Sequence, residues 1–439
     1  MFIVLRPKTL RIAELRKMQH MVANKLLYYH REDCRLCRSK NLIKVLDLGE
    51  QPLAGGFLDQ NEFQDEKFFP LRLYFCKDCT LIQNSEIIDK EVLFKHYFYI
   101  SSASKTGVDH FKSYAEDLNT CFARKKGDNL FIVELGSNDG VLLLPLREFG
   151  HNVLGVEPSK NITEIARKKG LAIINDFFTQ EVAREIVDKH SKADIITANN
   201  VLAHIDDMEE VIKGILILLK PEGILVFEVH YLLDLIEKLQ YDAIYHEHFC
   251  YHSVIALSKF FEKWDMNIYK VQRVPMHEGS IRVYVKRKEN LGRLQEKSVQ
   301  ELIRIERDKQ LDNEQTFYGF TQRINKQKEM LNSAIQQIKQ KGERIVGYGA
   351  AGRANTLLNY CNITYEMIDY IVDASPLRQG KYTPGTHIPI FSIEKFREDN
   401  PENVLLLAWS YKKEILEKEY DYRKKGGKFV IPLPMVEII

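Results

Sequence analysis

A multi-domain α/β protein is what this sequence predicts, with two Rossmann-like units preceded by a small metal-bound domain. Three observations predict it. Short apolar strands alternate with helix-forming stretches over residues 126–290 and again over 341–439, the mark of parallel sheets. Each stretch carries a strand, a glycine turn and a helix start in direct succession. Two Cys-x-x-Cys pairs stand ahead of both. A chain of 439 residues is also too long for one ordinary core. Its 63 basic and 61 acidic residues leave a formal charge of +2, which argues against a dedicated nucleic-acid binder. A hydrophobic content of 45% suits a globular protein, and no apolar run is long enough to span a bilayer.

Residues 1–30 form a basic extension poor in acids, without the apolar core of a secretory signal. They read as a surface helix or an over-extended start, with Met18 and Met21 as candidate initiators, and no function attaches to them. Residues 31–85 carry the pairs Cys34/Cys37 and Cys76/Cys79, about forty residues apart. Each pair places two thiolates on one side of a metal, and the two together complete a tetrahedral sulfur shell that favours zinc. Four ligands leave no open position, so the site is expected to be structural. Metal-binding thiols without a secretion signal point to the cytoplasm. Cys121, Cys250 and Cys361 read as packing residues.

Residues 86–125 read as a mostly helical linker holding the aromatic loop "HYFYISSAS". The segment "FIVELGSNDGVLLLPL" follows at Phe131. Its apolar run is a buried strand ended by Glu134, its Gly136-Ser137-Asn138-Asp139-Gly140 a tight polar turn, and the remainder a helix start. One strand–turn later, "NVLGVEPS" is a second buried strand ending in Glu157. A doubly wound sheet builds an adenosine crevice in this way: the turn lets a ligand approach the backbone, and the acid accepts from ribose hydroxyls. The turn lacks the three-glycine dinucleotide spacing, so a cofactor without a pyrophosphate fits, and S-adenosylmethionine is the candidate. Asp176, Phe177 and Asn199 complete the expected cofactor contacts, and further strands are expected at 194–198 and 224–229.

The segment "YDAIYHEHFCYHS", residues 241–253, gathers Tyr245, His246, Glu247, His248 and His252 close after the strand "ILVFEVHYL". A histidine beside a carboxylate is a base near neutral pH, and a tyrosine hydroxyl can hold a developing oxyanion. His204, in "NNVLAHIDD", falls on the same rim. A metal site is the other reading of these residues. Two points count against it: neighbouring helical positions face apart, and no H-x-x-x-H spacing appears. His246 and His252 read as structural, His248 with Glu247 as functional. Residues 268–287 suggest an edge hairpin around "MHEGS", and the charged stretch 288–340 suggests solvated helices.

The later turn "RIVGYGAAGRAN" spaces Gly347, Gly349 and Gly352 as G-x-G-x-x-G between strand and helix, with Asp373 at the end of the next strand. Taken alone this is a dinucleotide fingerprint, and an NAD(P)-dependent nucleotide-sugar oxidoreductase is the reading it supports. Binding of some other nucleotide phosphate at the helix start, or a merely tight connection, are the alternatives.

Taken in order, the cysteine pairs, "ELGSNDG", "YDAIYHEHFCYHS", "HEGSIRVYV", "GYGAAGRANTLLNYC" and "VDASPLRQGKYTPGTHIPI" resemble the C-methyltransferases of nucleotide-linked 4-keto-deoxyhexoses, over roughly residues 31 to 439. The resemblance implies a zinc-binding domain at 31–85, a class I S-adenosylmethionine-dependent methyltransferase domain at 86–290, a helical connector at 291–340 and a Rossmann-like domain at 341–439 that helps hold the nucleotide sugar. It implies that His248 removes the proton from C3 of the sugar, that Tyr245 and Glu247 line the site, and that His204 and Tyr99 face the sugar. Ser280, Arg282, Gly349, Arg353, Asn355 and Asp373 are the implied substrate contacts. The substrate would be a thymidine- or guanosine-diphosphate sugar and the protein a monomer or small homo-oligomer. Two departures stand out. Glu278 replaces the first of two glycines usual before the serine of "GSIRVY", and "AGRAN" is an unusual continuation of the "GYGA" turn.

Overall fold

Seven strands form the central sheet, in the order Met266–Val274, Ser280–Arg287, Leu219–His230, Ala193–Asn199, Phe131–Leu135, Asn152–Val156, Ile173–Ile174. The computed structural model from which this is read describes residues 28–89, 92–93, 100–122 and 129–439. Residues of the basic extension up to 27, and Tyr99 of the aromatic loop, lie outside the described residues. The last five strands of that order run parallel, whereas Ser280–Arg287 is antiparallel to both its neighbours and forms the expected edge hairpin with Met266–Val274. Ile132, Val133, Leu135, Ile195, Ile196, Val226 and Phe227 are all buried, as required of strands covered on both faces. The order reverses between Phe131–Leu135 and Ala193–Asn199, and that switch point opens the ligand crevice of a doubly wound sheet.

Glu134 does not end its strand. The strand continues to Leu135, and the glutamate is buried beside the end of Ala193–Asn199.

The N-terminal domain is not closed at residue 85. Its four-stranded antiparallel sheet has the order Cys250–Tyr251, Ile82–Asn84, Phe68–Cys76, Leu42–Pro52. Its outer strand therefore comes from the histidine-rich segment of the central domain, with Cys250 opposite Gln83 and Tyr251 opposite Ile82.

The C-terminal sheet runs Ile390–Phe391, Ile371–Val372, Ile345–Tyr348, Asn403–Leu406, Lys428–Ile431, Glu437–Ile438, parallel except for its last strand. Helices Lys297–Asp308 and Glu314–Gln340 connect it to the central domain. The second buries Phe317, Phe320, Ile324, Gln327, Leu331, Ile335 and Ile338. Their spacing of three and four is an amphipathic stripe, so the charge run is the solvated face of a packed helix. Gln327 on that stripe accepts from Tyr241 Oη at 2.6 Å and donates to Pro432 O at 2.7 Å. One contiguous apolar core runs through all three domains. Among the described residues no helix is long and apolar enough to cross a membrane.

Candidate active site

The glycine turn sits at the carboxyl end of Phe131–Leu135. Gly136 has φ +62°, and a Cβ there would lie 2.3 Å from Val201 Cγ2, so only glycine fits. Glu157, at the end of the neighbouring strand, is drawn against the turn: its carboxylate accepts from Asn138 N at 3.0 Å and from Ser159 N at 2.9 Å. Burial raises its pKa. Asn199 Nδ2 donates to Glu134 Oε1 at 3.0 Å across the switch point. Burial, against that bond, pushes the Glu134 carboxyl up to about 8. Glu134 Oε2, Ser137 Oγ and Asn199 Oδ1 are buried without a partner. Buried polar atoms left unpaired are costly, so the crevice is built for a polar ligand. The ammonium, carboxylate and ribose hydroxyls of S-adenosylmethionine offer such polar partners, and the residues fit that cofactor. Phe177 and the exposed Asp176 follow Ile173–Ile174 on the same rim.

Asp139 is held from one side, while its Oδ1 is buried without a partner. Its Oδ2 accepts from Lys169 Nζ at 2.7 Å and from the Ser102 hydroxyl. Ser101 N donates to Asn138 Oδ1 at 2.9 Å. The segment Ser101–Ala103 is thus fastened to the turn, and Asp139 Oδ2 takes part in that fastening.

The histidine-rich segment is not helical. It is a 3-10 turn, Tyr241–Ala243, then a tight turn, then the strand Cys250–Tyr251. His248 Nδ1 lies 2.8 Å from Ala243 O. A carbonyl can only accept, so Nδ1 carries the proton and Nε2 the lone pair. Burial, with His204 alongside, holds His248 well below the ordinary histidine range, so the ring is neutral and basic at Nε2. Tyr245 packs on it with ring centroids 4.1 Å apart, and His204 meets it edge to face at 4.9 Å. His204, on the 3-10 turn Leu202–His204, donates from Nδ1 to Glu247 O at 2.7 Å. Burial raises the Glu247 carboxyl to about 7. A Cβ on Gly55 of the N-terminal domain would lie 3.3 Å from Glu247 Oε1. His246 Nε2 lies 3.2 Å from Phe69 O and 3.1 Å from Pro70 O, and His252 is fully buried.

All three domains hold this segment. The N-terminal domain pairs with Cys250–Tyr251. On the C-terminal side, Arg353 forms a two-pronged ion pair with Asp242 at 2.7 and 2.8 Å, Trp409 Nε1 donates to Asp242 Oδ2 at 2.8 Å, and Thr356 Oγ1 donates to Ile244 O at 3.0 Å. Asn355 is committed to a domain contact, donating to Ala54 O at 2.6 Å.

Other expected substrate contacts are also engaged internally. Ser280 is buried and donates to Met276 O at 3.0 Å. Arg282 is spent on Glu228 at 2.7 Å and Asp117 at 2.8 Å, over the Tyr114 ring. With His110 Nε2 2.7 Å from the same Glu228, it forms a charged network in the wall of the site. Gly349, with φ +93°, has no room for a Cβ, which would lie 2.4 Å from that of Ala408. Asp373 accepts from Ala350 N at 2.7 Å and Ser375 N at 2.7 Å and pairs with Arg378 at 3.3 Å, so its carboxylate fastens its own turn.

The sequence reading missed Asp242, Arg35, His110 and Glu228. Asp242 lay inside a singled-out segment, but its partners Arg353 and Trp409 are distant in sequence.

The four cysteine sulfurs lie within 4.8 Å of one another. Sγ of Cys34 is 3.3 Å from that of Cys79, and Sγ of Cys37 is 3.5 Å from that of Cys76. Four thiolates on zinc stand about 3.8 Å apart, given Zn–S bonds near 2.3 Å, so the set fits a zinc ion with slight expansion. It is the one such cluster among the described residues.

A doubly wound sheet with a reversed edge hairpin, a glycine turn tied to an acid at its switch point, and unpartnered buried polar atoms beside that turn define a class I S-adenosylmethionine-dependent methyltransferase core. Residues 34–94 match the family description "Putative zinc binding domain", 108–271 "Methyltransferase domain" and 275–434 "C-methyltransferase C-terminal domain". The C-methyltransferase NovU of Streptomyces niveus is 32% identical over 409 residues, covering 93% of this chain and 97% of its own. The chain belongs to this C-methyltransferase family. A ubiquinone biosynthesis O-methyltransferase of Actinobacillus pleuropneumoniae serotype 7 is 29% identical over 119 residues, 24% of this chain and 49% of its own. Among solved structures, the Synechocystis magnesium protoporphyrin IX methyltransferase ChlM, with bound SAM, covers 42% of this chain and 81% of its own at 15% identity and a TM-score of 0.31.

Proposed function

We propose that this enzyme methylates C3 of a 4-keto-6-deoxyhexose linked to thymidine or guanosine diphosphate, with His248 as the general base. The observation that carries the reading is the His248 ring: Nδ1–H is committed to Ala243 O, burial keeps the ring neutral, and Nε2 is left as the basic nitrogen. The C4 ketone acidifies the C3–H bond. His248 Nε2 takes that proton, the bonding pair moves onto the C4 oxygen as an enolate, and the imidazolium stays hydrogen-bonded to Ala243 O. Tyr245 and His204 fix the plane of the ring, and Glu247 lines the sugar side. When bound, S-adenosylmethionine supplies an electrophilic sulfonium methyl to C3, the C–S bond breaking as the C–C bond forms. Glu157 would hold its ribose, and Glu134, Ser137 and Asn199 its other polar groups. The product is a 3-C-methyl-4-keto sugar.

Positioning is the main demand of this chemistry. Holding two reactants in attack geometry contributes on the order of 7–11 kcal/mol in favourable cases. The glycine turn at Gly349, set between the parallel strand Ile345–Tyr348 and the helix Gly352–Cys361, supports a nucleotide-holding role for residues 341–439. Because residues 275–434 match a C-methyltransferase C-terminal domain, the oxidoreductase reading is not adopted. A closed shell of four thiolates gives zinc a structural part, and such a site suits a reducing compartment such as the cytoplasm.

Incubation of the purified chain with S-adenosylmethionine and thymidine- or guanosine-linked 4-keto-6-deoxyhexose, followed by mass spectrometry and NMR, tests the reading. A product one methyl group heavier with its new carbon on C3 supports it. A methyl on oxygen, or no product from either nucleotide, overturns it.

A further inference from the structure

Arg35 lies inside the first cysteine knuckle and is 1% exposed. Its backbone N–H donates to Gln83 Oε1 at 2.9 Å. Its guanidinium faces the other way, into the central domain. Nη1 donates to Phe249 O at 2.8 Å and to Asn84 O at 3.1 Å, while Nε and Nη2 reach Asp206 Oδ1 at 3.3 and 3.2 Å. The group also lies over the Phe249 ring at 5.2 Å. Phe249 follows His248, and Asp206 stands two residues after His204. The two loops are themselves joined, since Phe249 N donates to Ala203 O at 2.7 Å and His204 Nδ1 to Glu247 O at 2.7 Å.

We infer that Arg35 is a positioning residue for methyl transfer: its guanidinium clamps the loops of His204 and His248 in register and ties that register to the cysteine knuckle. The inference rests on the reading of His248 as the base. A guanidinium suits the task because its planar fork serves a carbonyl and a carboxylate at fixed angles, whereas an ammonium is a point charge on a flexible stem. Arg31 provides the internal comparison. Its Nη1 also reaches Asp206 Oδ1, at 2.8 Å, but its Nε turns to Asp33. It also donates to the Asp206 carbonyl at 3.1 Å, and so holds the His204 loop without holding the His248 loop.

The test uses the full-length, zinc-loaded chain with Arg35→Lys, Asp206→Asn, Arg31→Lys and His248→Asn. Four quantities are measured per folded molecule: zinc content, affinity for S-adenosylmethionine, kcat with KM, and solvent-deuterium exchange at C3 without the cofactor. Arg35→Lys is expected to keep zinc and cofactor affinity while kcat and exchange fall together, on the order of 10²-fold, as misplacement of a reacting group by about 1 Å produces. Asp206→Asn should show a smaller loss in the same two quantities, and Arg31→Lys should leave kcat at the wild-type value. Wild-type kcat in Arg35→Lys, or a fall matched by lost zinc, overturns the inference. An equal fall in Arg31→Lys does so too, because the effect would then be general to Asp206. Retained exchange in His248→Asn overturns the base reading instead, whatever the Arg35 variants do.

Discussion

Asp242→Ala should loosen the C-terminal domain from the reacting segment. The Asp242 side chain is 1% exposed and that of Arg353 15%. The carboxylate accepts from Arg353 Nε and Nη2 at 2.7 and 2.8 Å and from Trp409 Nε1 at 2.8 Å. Its removal leaves a buried guanidinium and a buried indole N–H without acceptors. Deleting one partner of a buried ion pair costs about 3–5 kcal/mol, and the stranded indole pushes the loss toward the upper end. That is at least two orders of magnitude in the docking equilibrium, at about 1.4 kcal/mol per factor of ten. The chain has two tryptophans, so in a Trp264→Phe background the fluorescence of Trp409 reports this contact alone. Urea titration should show its transition moved to lower denaturant in Asp242→Ala and moved less in Asp242→Asn, which keeps an acceptor. A loss below about 1 kcal/mol, the worth of an exposed pair, would refute the reasoning.

Three further outcomes follow from the same geometry. His248 is held well below its ordinary value of 6.5. A lowered imidazole pKa keeps the neutral base present to lower pH, so the acid limb of kcat/KM should fall below 6.5, and a limb at or above that value would contradict the burial. Glu157→Ala should weaken cofactor binding by about tenfold or more, the worth of hydrogen bonds to a charged group, as read by calorimetry; an unchanged Kd would place the ribose acid elsewhere. Cys34→Ser should lower zinc content and expose residues 31–85 to protease while the folded fraction keeps its cofactor affinity. A wild type free of zinc by metal analysis would contradict the structural role.

What the sequence made legible is what short spacings encode. Glu157 and the turn beginning at Gly136 lie side by side at one end of the sheet as their positions suggested, because a strand–turn–helix unit brings them together locally. The cysteine pairs converge for a similar reason, since strands Leu42–Pro52 and Phe68–Cys76 pair antiparallel and bring the knuckles to one end. The site residues fared unevenly where partners come from far along the chain. Arg282, Ser280, Asn355 and Asp373 were expected at the substrate, yet their polar groups bond Glu228, Met276, Ala54 and the Ala350 turn. A polar residue in a motif says that a polar partner exists, and only the fold says which. The helix assumed for the histidine-rich segment failed for the same reason. Pairing of Cys250–Tyr251 with the N-terminal sheet overrides any local preference.

The most direct measurement of the central claim is the rate at which C3 of the nucleotide-4-keto-6-deoxyhexose takes up deuterium from solvent in the absence of S-adenosylmethionine, for wild type and His248→Asn side by side. The account predicts exchange in the wild type and a fall of about 10²–10⁴-fold in the variant, the range for loss of a general base, with cofactor affinity unchanged. Equal exchange in the two proteins would contradict it.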